Sequence, residues 1–303
     1  MRSAAPCRSR ERRHTMLVIS DLHWRCDTPA WRKEADYAAQ VLRPQLASLL
    51  DTGEPVIVAG DVFHRSADFA ATYDLFTFLK ERGRFLYAVR GQHDMTLHSG
   101  EFKETGFNLL VEAGLIVPLG AIPRPIDASH VCGMGWGEEI PADGADILIA
   151  HVSVSYGDAV IPGATTATAF REKATAFQLV FTGDNHKRFI SLGCGLFNAG
   201  CFHQMSADLV DQPPAAWQVT TNGNVKLFPI PFTPPLIDES YALSKDKGKT
   251  VAGAEFVKAL AEARNQGSAD IFMNTLKAAA SDATGGTRVL LNECVKKCEE
   301  SHT

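Results

Sequence analysis

The sequence predicts an α/β protein in which short buried strands alternate with amphipathic helices in layers. Three features of the chain support this expectation: short apolar runs, helical patterns between them, and a hairpin signal close to residue 222. At 303 residues, the chain is long enough for one large domain with an appendage, or for two domains.

Five apolar runs have the length expected of buried strands. They are Met16–Ser20, Pro55–Ala59, Phe85–Val89, Asp146–Ala150 and Leu179–Thr182. Further along, Asn222-Gly223 separates the apolar runs Trp217–Val219 and Val225–Phe228. An Asn-Gly pair between such runs is typical of a β-hairpin, so antiparallel strands are expected to close the sheet.

Helical patterns separate the first three strands. Between residues 35 and 49, apolar residues recur every three or four positions, and a kink is expected at Pro44. Before the third strand, one face of a second predicted helix carries Phe69, Tyr73, Phe76 and Leu79 or Lys80. We expect this to be the apolar face of that helix.

The chain is predicted to divide near residue 235, where the proline-rich run Pro229–Pro235 has the composition of a linker. Residues 1–15 are polar and rich in arginine, and we expect a disordered extension there. Residues 16–235 then form the main domain, and residues 236–303 a small helical accessory region. Cys294 and Cys298 lie four apart in that region and are interpreted as ordinary helix residues.

The composition argues against several classes of protein. No apolar stretch approaches the roughly 20 residues that a membrane-spanning helix needs, so an integral membrane protein is not expected. Seven cysteines without paired spacing favour free thiols and therefore a cytoplasmic location. A net charge of −5 carries no general signature of nucleic-acid binding, so contact with DNA would need a local basic patch or a partner.

Each of the five predicted strands is followed by residues that can bind metal. The segments are Asp21-Leu22-His23, Gly60-Asp61-Val62-Phe63-His64, Gly91-Gln92-His93-Asp94, His151 and Gly183-Asp184-Asn185-His186. Any one of them is a weak signal, because Gly-Asp is ordinary turn chemistry and a single histidine is more often structural. Loops at the carboxyl ends of strands converge on one crevice, so the ordered set predicts one shared site.

The ordered series resembles the pattern of calcineurin-like metallophosphoesterases over roughly residues 16–200. Its second segment, GDVFH, is similar to that of SbcD-type nucleases, the metal-dependent subunits of bacterial and phage DNA-repair and recombination complexes. The resemblance implies a two-layered β-sandwich flanked by helices, a catalytic domain over residues 16–235, two Mn²⁺ ions and a homodimer.

The resemblance also implies a role for each motif residue. The implied ligands are Asp21, His23 and His186 for one ion, Gln92, His151 and Asp184 for the other, and Asp61 as the bridge between them. His93 would face the phosphate and stabilise the transition state or protonate the leaving oxygen. His64 would help to orient the phosphate, and Asp94 would orient neighbouring groups.

This ligand set suits two-metal phosphoester hydrolysis. Two divalent ions about 3.5–4 Å apart can hold a bridging hydroxide and both non-bridging phosphoryl oxygens. Oxygen-rich ligands with some imidazole suit Mn²⁺, and they tolerate Mg²⁺ or Fe²⁺. A histidine that binds neither ion can act as a general acid near neutral pH.

Two residues depart from the family pattern, and both fall on the second ion. Gln92 stands where asparagine is usual, and Asp184 stands where histidine is usual. Each still carries a donor atom, whereas a decaying site would be expected to lose its ligands to Ala, Ser or Leu. We therefore interpret the site as active and variant. The alternative is a weakened second ion with mainly structural value.

Three functions are compatible with this interpretation. The first is a DNA exo/endonuclease of SbcD type, cutting with 3′-to-5′ polarity, with an SbcC-like ATPase as partner and residues 236–303 as its docking region or a DNA-facing cap. The second is a phosphodiesterase for cyclic nucleotides or other small molecules. The third is a non-catalytic scaffold, disfavoured because every ligand position keeps a donor. Candidates for local DNA contact are Arg65, Arg90, Lys187 and Arg188.

Overall fold

The computed structural model describes residues 15–96, 104–156 and 163–238. The strands in these ranges are β1 (Thr15–Ile19), β2 (Val56–Val58), β3 (Leu86–Ala88), β4 (Ile116–Pro118), β5 (Arg124–Ile126), β6 (Ser129–Met134), β7 (Ile147–His151), β8 (Val154–Ser155), β9 (Thr165–Thr166), β10 (Leu179–Gly183), β11 (Phe189–Ser191), β12 (Leu196–Asn198), β13 (Ala215–Thr220) and β14 (Val225–Pro229). The α-helices are α1 (Arg43–Leu50), α2 (Phe69–Glu81), α3 (Gly106–Glu112) and α4 (Ala167–Lys173).

Twelve of these strands form two six-stranded mixed sheets, and β8 and β9 pair in a small separate sheet. The first has the order β14-β13-β1-β2-β3-β4, and the second has the order β11-β12-β10-β7-β6-β5. In the first, β1 to β4 are parallel, and in the second, β12, β10, β7 and β6 are parallel. The other strands of both sheets run antiparallel to their neighbours. The expected α/β fold with two layers flanked by helices is confirmed.

The sequence forms these layers because the central strands are buried on both faces. Along β1, Met16 and Val18 belong to the apolar cluster between the two sheets, which also contains Phe181 from β10. Leu17 and Ile19 point to the opposite face, where they join the cluster formed with α1, α2 and α3. A strand covered on both faces reads as an unbroken apolar run, which is how the central strands could be predicted.

The face predicted for α2 is only partly buried. Phe69 is 81% exposed and Tyr73 is 61% exposed, whereas Leu79 is fully buried and Phe76 packs against the core. Leu75, outside the predicted face, is also fully buried. The helix carries apolar residues around most of its circumference, so helical spacing alone did not determine which stripe faces the sheet.

The first predicted helix is present, but Pro44 does not act as an isolated kink. A π-helical turn over Ala38–Leu42 leads into α1, and Pro44 lies in the first turn of that helix. The helix is continuous from the π-helical turn into α1, so the change of hydrogen-bond pattern just before Pro44 accommodates a residue that has no N–H to donate to the preceding turn.

Part of the domain prediction falls on residues outside the described ranges. This applies to residues 1–14 and 239–303, and therefore to the predicted extension, most of the accessory region, and the cysteines within it. Among the described helices, none is long and apolar enough to cross a membrane.

Candidate metal centre

The parallel strands of both sheets deliver the predicted motif residues to one edge. The loop after β1 runs beside the loop after β2, with the Asp21 N–H donating to the Gly60 carbonyl at 3.1 Å and the His23 N–H donating to the Asp61 carbonyl at 2.9 Å. In the second sheet, β7 ends at His151, which is in register with Gly183 at the end of β10. All ten predicted site residues lie around this edge.

The backbone turns sharply where it presents the ligands. Among the described non-glycine residues, only five have positive φ angles, and four of them are predicted ligands: Asp21 (51°), His23 (42°), Asp61 (52°) and Asp184 (74°), with Asp127 (51°) the fifth. The left-handed region is sparsely populated by such residues, and strain of this kind concentrates at functional sites. These turns therefore direct the side chains of the potential ligands towards one site.

The glycines of the motifs leave room for the ligands. A Cβ atom on Gly60 would lie 2.0 Å from His151 Nδ1, and one on Gly91 would lie 2.1 Å from Asp61 Oδ1. These distances are far below van der Waals contact. Neither position has room for a side chain, because His151 packs against Gly60 and Asp61 packs against Gly91. This explains why glycine precedes Asp61 and Gln92.

The first group of potential ligands is formed by Asp21, His23 and His186. His23 Nε2 lies 3.2 Å from His186 Nε2, and His186 Nε2 lies 3.6 Å from Asp21 Oδ1. His23 Nε2 is also 3.8 Å from Asp61 Oδ2. Atoms that share one octahedral ion with bonds near 2.1 Å are about 3–4 Å apart, so these donors can hold one ion.

The second group is formed by Asp61, Gln92, His151 and Asp184. His151 Nε2 lies 3.5 Å from Asp61 Oδ2, 2.7 Å from Gln92 Oε1 and 3.9 Å from Asp184 Oδ1. The two residues that depart from the family pattern contact each other directly, because the Gln92 amide donates to Asp184 Oδ1 at 2.5 Å. The longer Gln92 side chain therefore meets the shorter Asp184 side chain, and both place an oxygen atom within 4 Å of His151 Nε2.

Asp61 has the geometry of a bridge. Its Oδ1 accepts the backbone N–H of His93 at 2.9 Å, while its Oδ2 lies between His23 and His151. Asp61 Oδ2 and Asp21 Oδ1 are buried and have no hydrogen-bond partner. A buried carboxylate oxygen without a partner is costly, and metal ions bound at these two groups would satisfy both atoms. The residues therefore fit a pair of divalent ions.

The protonation of the site follows from the same crowding of charge. Burial would lower the pKa of His151, but the charges of Asp61 and Asp21 and the hydrogen bond to the Ala59 carbonyl raise it to about 10. Burial also lowers the pKa of His23 well below its usual range, which keeps that ring neutral. A positive charge is favoured beside Asp61, and a proton and a metal ion compete for that position.

Mn²⁺ binding is consequently expected to release about one proton. Since the raised pKa of His151 keeps this ring protonated below about pH 10, affinity should increase about tenfold per pH unit between pH 6 and 8. Calorimetry of EDTA-treated protein in two buffers of different ionisation enthalpy measures the released proton. A His130→Gln variant, which changes an exposed histidine 3.7 Å from Asp146, should release the same number. Heat independent of the buffer would contradict the expectation.

The contact between Gln92 and Asp184 leads to a second expectation. Gln92→Asn and Asp184→His should each weaken Mn²⁺ binding at the second group, since either change breaks their hydrogen bond. The double variant should bind about as well as the unchanged protein, giving a coupling energy of about 1–2 kcal/mol in a double-mutant cycle. Calorimetric titration with Mn²⁺ measures all four proteins. Additive losses would show that the two residues act independently.

His93 lies outside the two groups described above, but with His23 and His64 it forms a third set of possible ligands, whose atoms lie within 4.8 Å of one another. Its Nδ1–H can donate to the His64 carbonyl at 3.0 Å, and Nε2 has no hydrogen-bond partner among the described residues. Its ring centroid is 4.9 Å from that of His23 and 5.8 Å from that of His64, on which it stacks. Burial, Arg25 and His93 lower the pKa of His64 to about 4, so that ring is neutral at physiological pH.

Asp94 connects two of the loops that carry the potential ligands. Its carboxylate is fully buried and accepts three backbone N–H groups, from Val62 (3.1 Å), Phe63 (2.9 Å) and Gly91 (2.9 Å). Burial and the nearby charge of Asp61 raise its pKa to about 7, against the effect of these three donors. Asp94 thus joins the second and third motif loops, in line with the orienting role expected of it.

The structure also shows the contacts of two arginines that were candidates for DNA contact, and of one tryptophan near the site. Arg188, a candidate for DNA contact, donates from its guanidinium to the Ala199 and Pro213 carbonyls. Arg90 donates to Asn108 and lies over the Phe107 ring. The sequence reasoning missed Trp136, whose ring is 6.2 Å from that of His151.

The chain is similar to known proteins in sequence and in structure. It matches a family model described as calcineurin-like phosphoesterase over residues 14–188, more than half of its length. Two similar crystal structures are TT1561 of Thermus thermophilus (TM-score 0.41, 14% identity, covering 72% of this chain and 99% of that one) and the calcineurin-like phosphoesterase YfkN from Bacillus subtilis (0.40, 11%, 70% and 87%). No curated protein sequence gave a significant match.

Proposed function

This chain belongs to the calcineurin-like phosphoesterase family, and we propose that it is a two-metal phosphodiesterase that cuts DNA, as SbcD-type nucleases do. Metal-dependent phosphoester hydrolysis follows from the family and from the buried Asp and His clusters. The observation that carries the proposal is the position of Asp61 Oδ2 between two groups of donors, with His93 beside both.

Each group at the site has a part in this reaction. Two divalent ions, Mn²⁺ in our proposal, would activate water and neutralise charge on the phosphoryl oxygens when bound. Asp61 fixes the spacing of the two donor groups, and the Asp94 carboxylate holds the loops that carry them. The free Nε2 of His93 can donate a proton to the leaving oxygen, since Nδ1 is engaged with the His64 carbonyl.

DNA is supported as the substrate by two features of the described residues. The segment Gly60–His64 has the GDVFH sequence that is similar to SbcD-type nucleases. Arg65 follows it directly, its side chain is 63% exposed, and its positive charge acts on His64. An SbcC-like ATPase and homodimer formation belong to the same proposal, with the ATPase supplying phosphate contacts that an acidic chain lacks.

The proposal is tested with purified protein, Mn²⁺ and three substrates: end-labelled single-stranded DNA, end-labelled double-stranded DNA, and bis-p-nitrophenyl phosphate. Degradation of DNA, absent after EDTA treatment and in an Asp61→Asn variant, is the expected result. Hydrolysis of the small diester or of a cyclic nucleotide without DNA cleavage would replace DNA by a small substrate. Inactivity on every substrate, also with an SbcC-like partner present, would point to a scaffold.

A further inference from the structure

Beside the metal centre, two arginines share one carboxylate. Arg25 forms two hydrogen bonds to Asp27, from Nη2 to Oδ2 at 2.6 Å and from Nε to Oδ1 at 3.1 Å. Arg65 Nη2 lies 3.5 Å from the same Oδ2. Two guanidinium groups and one carboxylate leave this trio with a net charge of +1.

The trio is positioned by the same loops as the metal ligands. Arg25 follows His23 by two residues, and Arg65 follows His64 directly. Trp24 and Phe63 form a parallel bridge, and the His64 N–H donates to the Trp24 carbonyl at 3.2 Å, so the two segments leave the site side by side. At about 3.3 Å per extended residue, Arg65 lies within roughly 13 Å of Asp61.

The two arginines differ in exposure and in how closely they bind Asp27. The Arg25 side chain is 9% exposed and its guanidinium is engaged with Asp27 through both Nε and Nη2. The Arg65 side chain is 63% exposed, and its contact with Asp27 is longer than a normal hydrogen bond. The surplus positive charge therefore lies on Arg65, whose fork of N–H donors matches a phosphate.

We propose that Arg65, placed by the Arg25–Asp27 pair, forms a second anion subsite that binds a phosphate next to the one being hydrolysed. The ligand class is a chain of phosphodiesters, since an isolated diester has no second phosphate to offer. This inference rests on the proposed function and adds a basis for preferring polynucleotides over single diesters. The subsite lies on the loop after β2, one residue beyond His64 in the chain.

The test compares Arg65→Ala, Arg65→Lys and Arg82→Ala with the unchanged protein. Arg82 is the matched control, because it pairs with Asp51 at 2.9 Å at the far end of α2. For each protein, kcat/KM is measured for a single-stranded oligonucleotide and for bis-p-nitrophenyl phosphate. Oligonucleotide affinity is measured separately, by fluorescence anisotropy in Ca²⁺ over a range of salt concentrations.

We expect Arg65→Ala to lower the ratio of the two kcat/KM values about fivefold to tenfold, mainly through KM for the oligonucleotide. Its salt dependence of binding should become shallower by about 0.7 in log–log slope, the loss of one phosphate contact on a single strand. Arg65→Lys should show an intermediate loss, since it keeps the charge without the fork. Arg82→Ala should match the unchanged protein.

An unchanged ratio and salt slope in Arg65→Ala would overturn the subsite. Equal losses on both substrates would also overturn it, because they would place Arg65 on the reacting phosphate. Failure of the proposed function is distinguishable, since it appears as inactivity of the unchanged protein on the oligonucleotide, with or without hydrolysis of bis-p-nitrophenyl phosphate. The anisotropy measurement does not depend on turnover and still decides whether Arg65 binds a phosphate.

Discussion

Asp61→Asn is expected to lower phosphodiesterase activity by at least about 1,000-fold, or roughly 4 kcal/mol of transition-state stabilisation. Asp61 Oδ2 is the only described carboxylate oxygen placed within 4 Å of histidines from both donor groups. An amide at this position removes the negative charge that holds two cations close together and leaves one weaker donor. Hydrolysis of bis-p-nitrophenyl phosphate with saturating Mn²⁺ measures the loss.

Asp127→Asn is the matched control for this variant. Asp127 also has a positive φ angle, 51° against 52° for Asp61, but it lies between β5 and β6 and away from the motif loops. The control should keep full activity, because asparagine tolerates left-handed backbone as well as aspartate does. Metal content measured on both variants should show fewer ions bound in Asp61→Asn alone. Full activity of Asp61→Asn would remove the bridge from the mechanism.

The fold could be predicted where local sequence and burial agree. The runs that form β1, β2 and β7 are apolar throughout because both of their faces are buried. Strands that mix polar and small residues could not be found in this way. Thus β6 (Ser129–Met134) contains His130 and Gly133, and β12 is only three residues long. Their pairing depends on neighbours that are distant in the chain.

The site could be predicted because strand ends bring separate motifs to one edge. The contacts between those motifs could not, because they join residues far apart in sequence. Gln92 and Asp184 are 92 positions apart, and nothing local to either indicates that they form a hydrogen bond. The role of Arg25 could not be predicted either, although it lies two residues after His23. That role depends on the contacts of Asp27 with Arg25 and Arg65.

These contacts change how the two departures from the family pattern are interpreted. Considered separately, a longer amide at 92 and a shorter carboxylate at 184 each suggest a weakened ligand. In the structure they form one unit with His151, whose Nε2 faces the Gln92 carbonyl oxygen at 2.7 Å. A site that loses function has no reason to keep such a match, so the geometry favours a second ion that is held rather than lost.

His93→Gln is expected to lower kcat for DNA by about 1,000-fold while Mn²⁺ binding stays unchanged. In the described part of the chain, the Nε2 of His93 has no hydrogen-bond partner, and its ring packs on that of His23. Loss of a general acid should be felt most when the leaving group is a poor one. The same variant should therefore lose only about tenfold on bis-p-nitrophenyl phosphate, whose leaving phenolate needs little protonation.

The difference between the two substrates separates proton donation from other roles of His93. If this residue only stabilised charge on the phosphoryl oxygens, both substrates would lose activity equally, since that charge develops in both reactions. If it only supported the ligands, metal content would fall together with kcat. His130→Gln, which changes an exposed histidine of β6, should change neither quantity. A large loss on DNA, a small loss on the activated ester and full metal content would together assign the proton to His93.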